Sequence, residues 1–238
     1  MSGTPSLPRL LARGALDLLY PERCLGCGAF GTLLCPRCEA RLECASGTGR
    51  CPNCAARWTA ADNCPRCFGW EALDRVHAAY EMDGPARKVV HGLKYRGIRA
   101  LAGRMAAAVG PVAPDFDVAM PVPLHGSRQR RRGFNQAELM LNELACPRAE
   151  GRLLRIRNTP HQVGLHHGER RSNVAGAFAY RGPSLTGLTV ALVDDVVTTG
   201  ATVNECARVL RDYGARHVIA VAYARASYDS GSVKPIPD

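Results

Sequence analysis

Two groups of residues in this chain have types and spacings suited to chemistry. The first is the run Asp194-Asp195-Val196-Val197-Thr198-Thr199-Gly200-Ala201-Thr202. Two adjacent carboxylates close an apolar stretch, and a Thr/Gly loop then leads into a helical stripe. Such a loop offers backbone amides and the Thr198, Thr199 and Thr202 hydroxyls to a phosphate, and the dipole of the following helix favours its charge. Gly200 supplies the positive φ or the close approach that the turn requires. Asp194 and Asp195 then stand beside a neighbouring polyol, able to accept from its hydroxyls. A Gly-Lys-Ser/Thr triphosphate loop and a Gly-x-Gly-x-x-Gly dinucleotide turn are both missing from this run. The plainer alternative is a capped turn with solvated acids. The agreement of strand, acid pair, hydroxyl loop and striped helix favours the phosphate site.

The second group is a set of cysteine pairs: Cys24/Cys27, Cys35/Cys38, Cys51/Cys54 and Cys64/Cys67. Two residues separate the members of each pair, the spacing of a knuckle turn that aims two sulfurs at one tetrahedral ion. Two knuckles complete a four-thiolate Zn²⁺ shell. A Gly or Pro sits in or beside every pair. A disulfide scaffold would need an oxidising compartment, and residues 7–20 do not read as a signal peptide, because Arg13 and Asp17 interrupt them and no cleavage site follows. Sequential closure (24/27/35/38 and 51/54/64/67) leaves shorter loops than cross-braced pairing and is the favoured grouping. Shells filled by cysteine leave no open position, so this zinc is structural. Cys44 is a spare.

Around these groups lie the elements that must position them. Residues 7–20 form an amphipathic leader helix, suited either to docking on its own protein or to an anionic membrane. From residue 73 the pattern alternates. Ala86, Val89, Val90 and Leu93 make a helical stripe, and Ile98, Leu101, Ala102 and Met105 make another. Residues 117–122 read as a buried strand, and Asn135 with Glu138 opens a helix. Residues 188–193 and 217–224 are further buried strands, with a helix ending at Gly214 between them. Apolar strands alternating with helices predict an α/β domain with a mostly parallel sheet, whose ligands sit beyond the carboxyl ends of the strands, after 122 and after 193. The expected organisation is a leader helix at 1–22, a double zinc ribbon at 23–72, an α/β domain at 73–229 and a flexible tail at 230–238.

Composition bounds the rest. With 238 residues, 46% hydrophobic and 22% charged, the chain buries a substantial core, and no run is long and apolar enough to cross a bilayer. The formal charge is +10, and all but three of the 31 basic side chains are arginines. Eight thiolates with two Zn²⁺ would lower that charge to about +6. Arginine suits phosphate through its planar fork of donors, although codon bias gives the same count.

The motifs carry a resemblance. ALVDDVVTTGATV (191–203) resembles the phosphoribosyl-pyrophosphate (PRPP) motif of type I phosphoribosyltransferases. The four cysteine pairs, PVPLHGSRQRRRGFNQ (121–136), LKYRG (93–97) and TPHQVGLHHGERRSNVAGAF (159–178) narrow it to the competence protein F (ComF) family. The resemblance covers about residues 20–225. It implies a type I phosphoribosyltransferase fold behind a small zinc-ribbon domain. Asp194 and Asp195 would hold the ribose hydroxyls with Mg²⁺ nearby, and Thr198, Thr199, Gly200, Ala201 and Thr202 the 5′-phosphate. The loop after Pro123 would meet the pyrophosphate, with Arg128 and Arg132 as candidate cations. Residues 157–175 would form a mobile flap, with Arg170 as its charge donor in catalysis beside Asp194 and Asp195. A solvated basic loop is the bland reading of 127–132. His161, His166 and His167 lack a spaced partner for a metal site.

Three functions follow from this. The leading one is a PRPP-binding protein that acts with single-stranded DNA and other proteins of DNA uptake. The zinc ribbons and basic loops would form its nucleic-acid surface, and Trp58, Phe68, Trp70 and Phe134 are candidate stacking platforms. The second is a base-salvage phosphoribosyltransferase, a pentosyl transferase whose base-reading hood is not evident. The third is a non-catalytic PRPP sensor. Zinc thiolates and PRPP favour the cytoplasm, with the inner face of the membrane reachable through the basic surface or leader helix.

Overall fold

The computed structural model describes residues 21–46, 49–51, 53, 64, 67, 70–158 and 173–226. The leader helix, the tail, Cys54, Trp58, Phe68, Arg170 and the three flap histidines lie outside them. Four strands form one parallel sheet in the order β1-β6-β5-β2: β1 Arg75–Glu81, β6 His217–Arg225, β5 Thr189–Val197 and β2 Val118–Pro121. In β6 every residue after His217 is buried, the apolar continuity expected where helices cover both faces of a sheet. β2 is an edge strand and ends at Pro121, a residue that the middle of a ladder would not tolerate.

One face is covered by α6 (Ala201–Asp212) and by an antiparallel pair, β3 Arg152–Arg155 with β4 Phe178–Arg181. Leu192, Cys206, Leu210 and Phe178 meet in that core. The other face carries α2 (Gly84–Arg96), α3 (Leu101–Val109) and α5 (Gln136–Glu143), with Leu93, Met105, Met140 and Ala191 inside. Cys24, in the turn closed by the Gly28 amide, and Cys38, in the short helix α1 (Pro36–Glu39), belong to this second core. The first ribbon is therefore built onto the α/β domain. Lys88 Nζ fastens it by donating to the Gly26 carbonyl at 2.7 Å.

Local signals set the helix ends. Asn135 caps α5, its side chain accepting from the Ala137 amide at 3.1 Å. Gly97 ends α2 at φ 63°.

Three features depart from the sequence reading. β5 does not stop at Val193 but runs through both acids to Val197, because β6 pairs with it all the way, Asp194 opposite Ala222 and Val196 opposite Ala224. The basic stretch after Pro123 is a short helix, α4 (Gly126–Arg132), and not a loop; His125 caps it by accepting from the Ser127 amide. The β3–β4 pair and β1 carry no unbroken apolar run and were not anticipated.

Candidate functional site

β2 and β5 are neighbours, so the two places singled out beyond Val122 and Val193 lie side by side at the carboxyl edge of the sheet. Asp194 and Asp195 occupy this edge and are unequal. Asp194 is half-buried, whereas Asp195 is 1% exposed. Lys94, at the last turn of α2, places its ammonium 2.7 Å from Asp195 Oδ2, and Gln136 of α5 donates to Asp195 Oδ1 at 3.3 Å. Arg132 of α4 donates in turn to Gln136 Oε1 at 2.7 Å. A polar chain thus runs from the basic helix through Gln136 to the acid and on to Lys94.

The electrostatics follow from this packing. Burial favours the neutral form of Asp195, but the Lys94 charge and hydrogen bond outweigh it and hold this carboxyl below the usual range. Asp194 goes the other way: burial, then the charge of Asp195, push its carboxyl well above the ordinary value. Asp194 Oδ1 accepts from the Asp195 amide at 2.8 Å. For Lys94, burial opposes the charge, and Asp195 followed by Asp194 more than restores it. The expectation that both acids face an open polyol needs correction: Asp194 is accessible, while Asp195 is sealed beneath Lys94 and Gln136.

Beyond β5 the chain turns at Gly200, at φ 78°, and enters α6, whose first turn contains no acid. A helix N-terminus of this kind presents unpaired amides and partial positive charge. Thr198 and Thr202 are half-buried beside it. Thr199 is buried, and its hydroxyl accepts from the Ala201 amide at 3.4 Å. It steadies the loop, and its own proton remains to be donated.

Arg128 and Arg132 are half-buried on α4. Arg128 bears on Arg155 of β3, and Arg155 senses Asp194. Burial, followed by the Arg128 charge, lowers the Arg155 guanidinium to about 10. Arg130 and Arg131 are exposed. Arg170, the expected flap donor, lies outside the described residues.

Lys94, Gln136 and Arg155 were not anticipated as site residues. Lys94 left one trace, as one of three lysines in an arginine-rich chain. A compact ammonium suits a buried single-point contact better than a guanidinium fork does. Of the candidate stacking rings, Phe134 is buried with the Arg99 guanidinium 5.0 Å from its centroid. Trp70 is half-buried and its N–H is used within the fold, so neither ring is a free platform.

The cysteines meet as sequential closure predicts. The Cys24, Cys27, Cys35 and Cys38 sulfurs lie within 4.8 Å of one another, as do those of Cys51, Cys64 and Cys67; Cys54 is outside the described residues. Contacts of 3.6 Å (Cys27–Cys35) and 3.5 Å (Cys51–Cys67) match the roughly 3.8 Å between thiolates around tetrahedral zinc. The donor set therefore fits structural zinc.

Residues 88–234 match the phosphoribosyl transferase domain, and residues 15–68 match the double zinc ribbon domain. The chain belongs to the phosphoribosyl transferase family. Within it, the ribbon and the relatives mark a ComF-family protein. Competence protein F of Haemophilus influenzae is 39% identical over 116 residues, covering 46% of this chain and 51% of that protein. DNA utilization protein YhgH of Salmonella typhi is 36% identical over 149 residues, 56% of this chain and 64% of that one. Competence protein ComFC of Bacillus subtilis is 31% identical over 142 residues, 58% of each. The matches thus span less than two thirds of these relatives' lengths. Among the described residues, no helix is long and apolar enough to cross a membrane.

Proposed function

We propose that this ComF-family protein binds PRPP at the carboxyl edge of β5 and acts with single-stranded DNA in DNA uptake. One observation carries the reading: half-buried Asp194 lies near the end of the strand that leads, through a left-handed glycine, into a helix N-terminus. The α6 amides with Thr198, Thr199 and Thr202 take the 5′-phosphate. Asp194 takes a ribose hydroxyl, and Asp195 joins it once Lys94 shifts. Mg²⁺ held beside the two acids would neutralise the pyrophosphate. Arg128 and Arg132 of α4 supply cations for that group, and the family resemblance adds Arg170 as a further charge donor. The DNA role rests on the names of the relatives and on the exposed arginines Arg130 and Arg131. The cytoplasm, or the inner face of the membrane, is the setting that reduced zinc thiolates and PRPP favour.

Calorimetric titration of PRPP with Mg²⁺ into the zinc-loaded protein tests the first part, with Asp194→Asn as control. Micromolar binding lost in the control is expected, and no binding to folded wild type overturns it. Pyrophosphate release with candidate acceptors then separates a transferase from a sensor. For the DNA part, affinity for a labelled single strand should fall steeply with salt, and Arg130→Ala/Arg131→Ala should flatten that slope. No binding at low salt refutes it.

A further inference from the structure

We propose that Trp70 is a positioning residue that ties the phosphate loop to the second zinc cluster. Trp70 follows Cys67 by three residues, and its amide donates to the Cys67 carbonyl at 2.9 Å, closing the knuckle turn whose Cys67 amide donates to Cys64. Its ring packs against the cluster formed by Cys51, Cys64 and Cys67. The other end of the same side chain reaches the loop: indole Nε1 donates to the Thr199 carbonyl at 3.2 Å. Gly200 lies directly against the indole, so that a Cβ at this position would collide with the ring. The Arg225 guanidinium, at the end of β6, sits 5.6 Å from the ring centroid.

The segment after Trp70 reinforces the seam. Asn204, in the first turns of α6, accepts from the Ala72 and Leu73 amides at 3.3 and 3.2 Å. Arg211 at the far end of that helix donates to the Ala72 carbonyl and pairs with Asp74. The linker is therefore fixed along α6, and Trp70 reaches past the helix to the loop that precedes it. Fixing the Thr199 peptide orients the amides that follow it, and those amides are the ones that would face a phosphate. A ligand that needs them prearranged binds more tightly when the loop is already fixed. The functional half of this proposal rests on the PRPP reading; the positional half does not.

The test uses the full zinc-loaded chain and reads hydrogen exchange in peptides spanning residues 198–203, alongside PRPP titration. Trp70→Phe keeps a ring but removes the donor, so loop exchange and the PRPP dissociation constant should each rise about fivefold, the worth of one ordinary hydrogen bond. Trp70→Ala should raise both by more than about tenfold, while peptides from α3 stay unchanged. Phe30→Leu, at an exposed ring on the first ribbon, is the control and should change neither. Releasing the second zinc with Cys64→Ser/Cys67→Ser should loosen the same loop. Loop exchange unchanged in Trp70→Ala overturns the proposal, as does loosening that spreads equally to α3. A loop as protected as wild type after loss of the second zinc overturns the link to the cluster. If wild type fails to bind PRPP, the binding reading falls and the exchange measurements still decide the tether.

Discussion

Lys94→Met removes the ammonium 2.7 Å from Asp195 and leaves a carboxylate that is 1% exposed and still accepts from Gln136. Deleting one member of a buried ion pair costs about 3–5 kcal/mol; the Lys94 side chain keeps 16% of its exposure, which places the expected loss near the lower figure, about 3 kcal/mol at pH 7. The pH dependence follows from the two pKa directions. In wild type the Asp195 carboxyl is held low, so its contribution is present above the unfolded value of about 3.9 and disappears as pH falls through the folded one. Without Lys94, burial, the largest influence on Asp195, outweighs the Gln136 hydrogen bond and raises the carboxyl, so the variant loses stability as pH climbs above that range. Lys94 itself is held above its ordinary value, so wild type keeps the pair until strongly alkaline pH. Urea unfolding with zinc retained should therefore show a gap that is small near pH 4, opens towards pH 7 and stays level up to about pH 9. Adding Asp195→Asn to Lys94→Met should recover most of the loss, because the amide carries no charge to strand. A gap under about 0.5 kcal/mol at pH 7, or one as large at pH 4, would refute the reasoning.

Three further outcomes are expected. Gly200→Ala forces a Cβ into the left-handed region and into the Trp70 ring, and should cost about 2 kcal/mol or more, read as a fall of about 4–8 °C in thermal midpoint together with weaker PRPP binding. Asn204→Ala strands the Ala72 and Leu73 amides and should cost about 1–3 kcal/mol in urea unfolding; a change within error would mean that water replaces the amide oxygen. Elemental analysis should find two zinc ions per chain. Cys24→Ser/Cys38→Ser should lose one of them with the larger drop in thermal stability, since those two side chains lie in the core beneath α2 and α3.

Much of this was legible from residue order. The apolar runs of β5 and β6 and the stripe of α6 are long and bounded by clear signals, and the Asn135 cap formed as its spacing suggests. The cysteine pairs closed sequentially because a knuckle turn is local. What escaped depended on tertiary partners. β5 continues through two acids, against their intrinsic preference, because β6 supplies the ladder and Lys94 offsets the buried charge. The helix α4 has six polar residues after its glycine and no apolar stripe, so only its ends, the His125 cap and Gly133 at φ 79°, specify it. Lys94, Gln136 and Arg155 lie between 40 and 101 positions from Asp195 along the chain, and no local pattern joins them to it.

The order of the strands has a consequence for synthesis. Among the described residues β6 is the last strand made and sits between β1 and β5, so the two flanking strands wait for it with their inner edges unpaired. The thiolate knuckles and α2 can form early from nearby residues, while the sheet closes only after Arg225 has left the ribosome. A chain arrested before residue 217 exposes two apolar edges at once and is a ready template for strand pairing with its neighbours. Cells making such fragments should find them in the aggregated fraction.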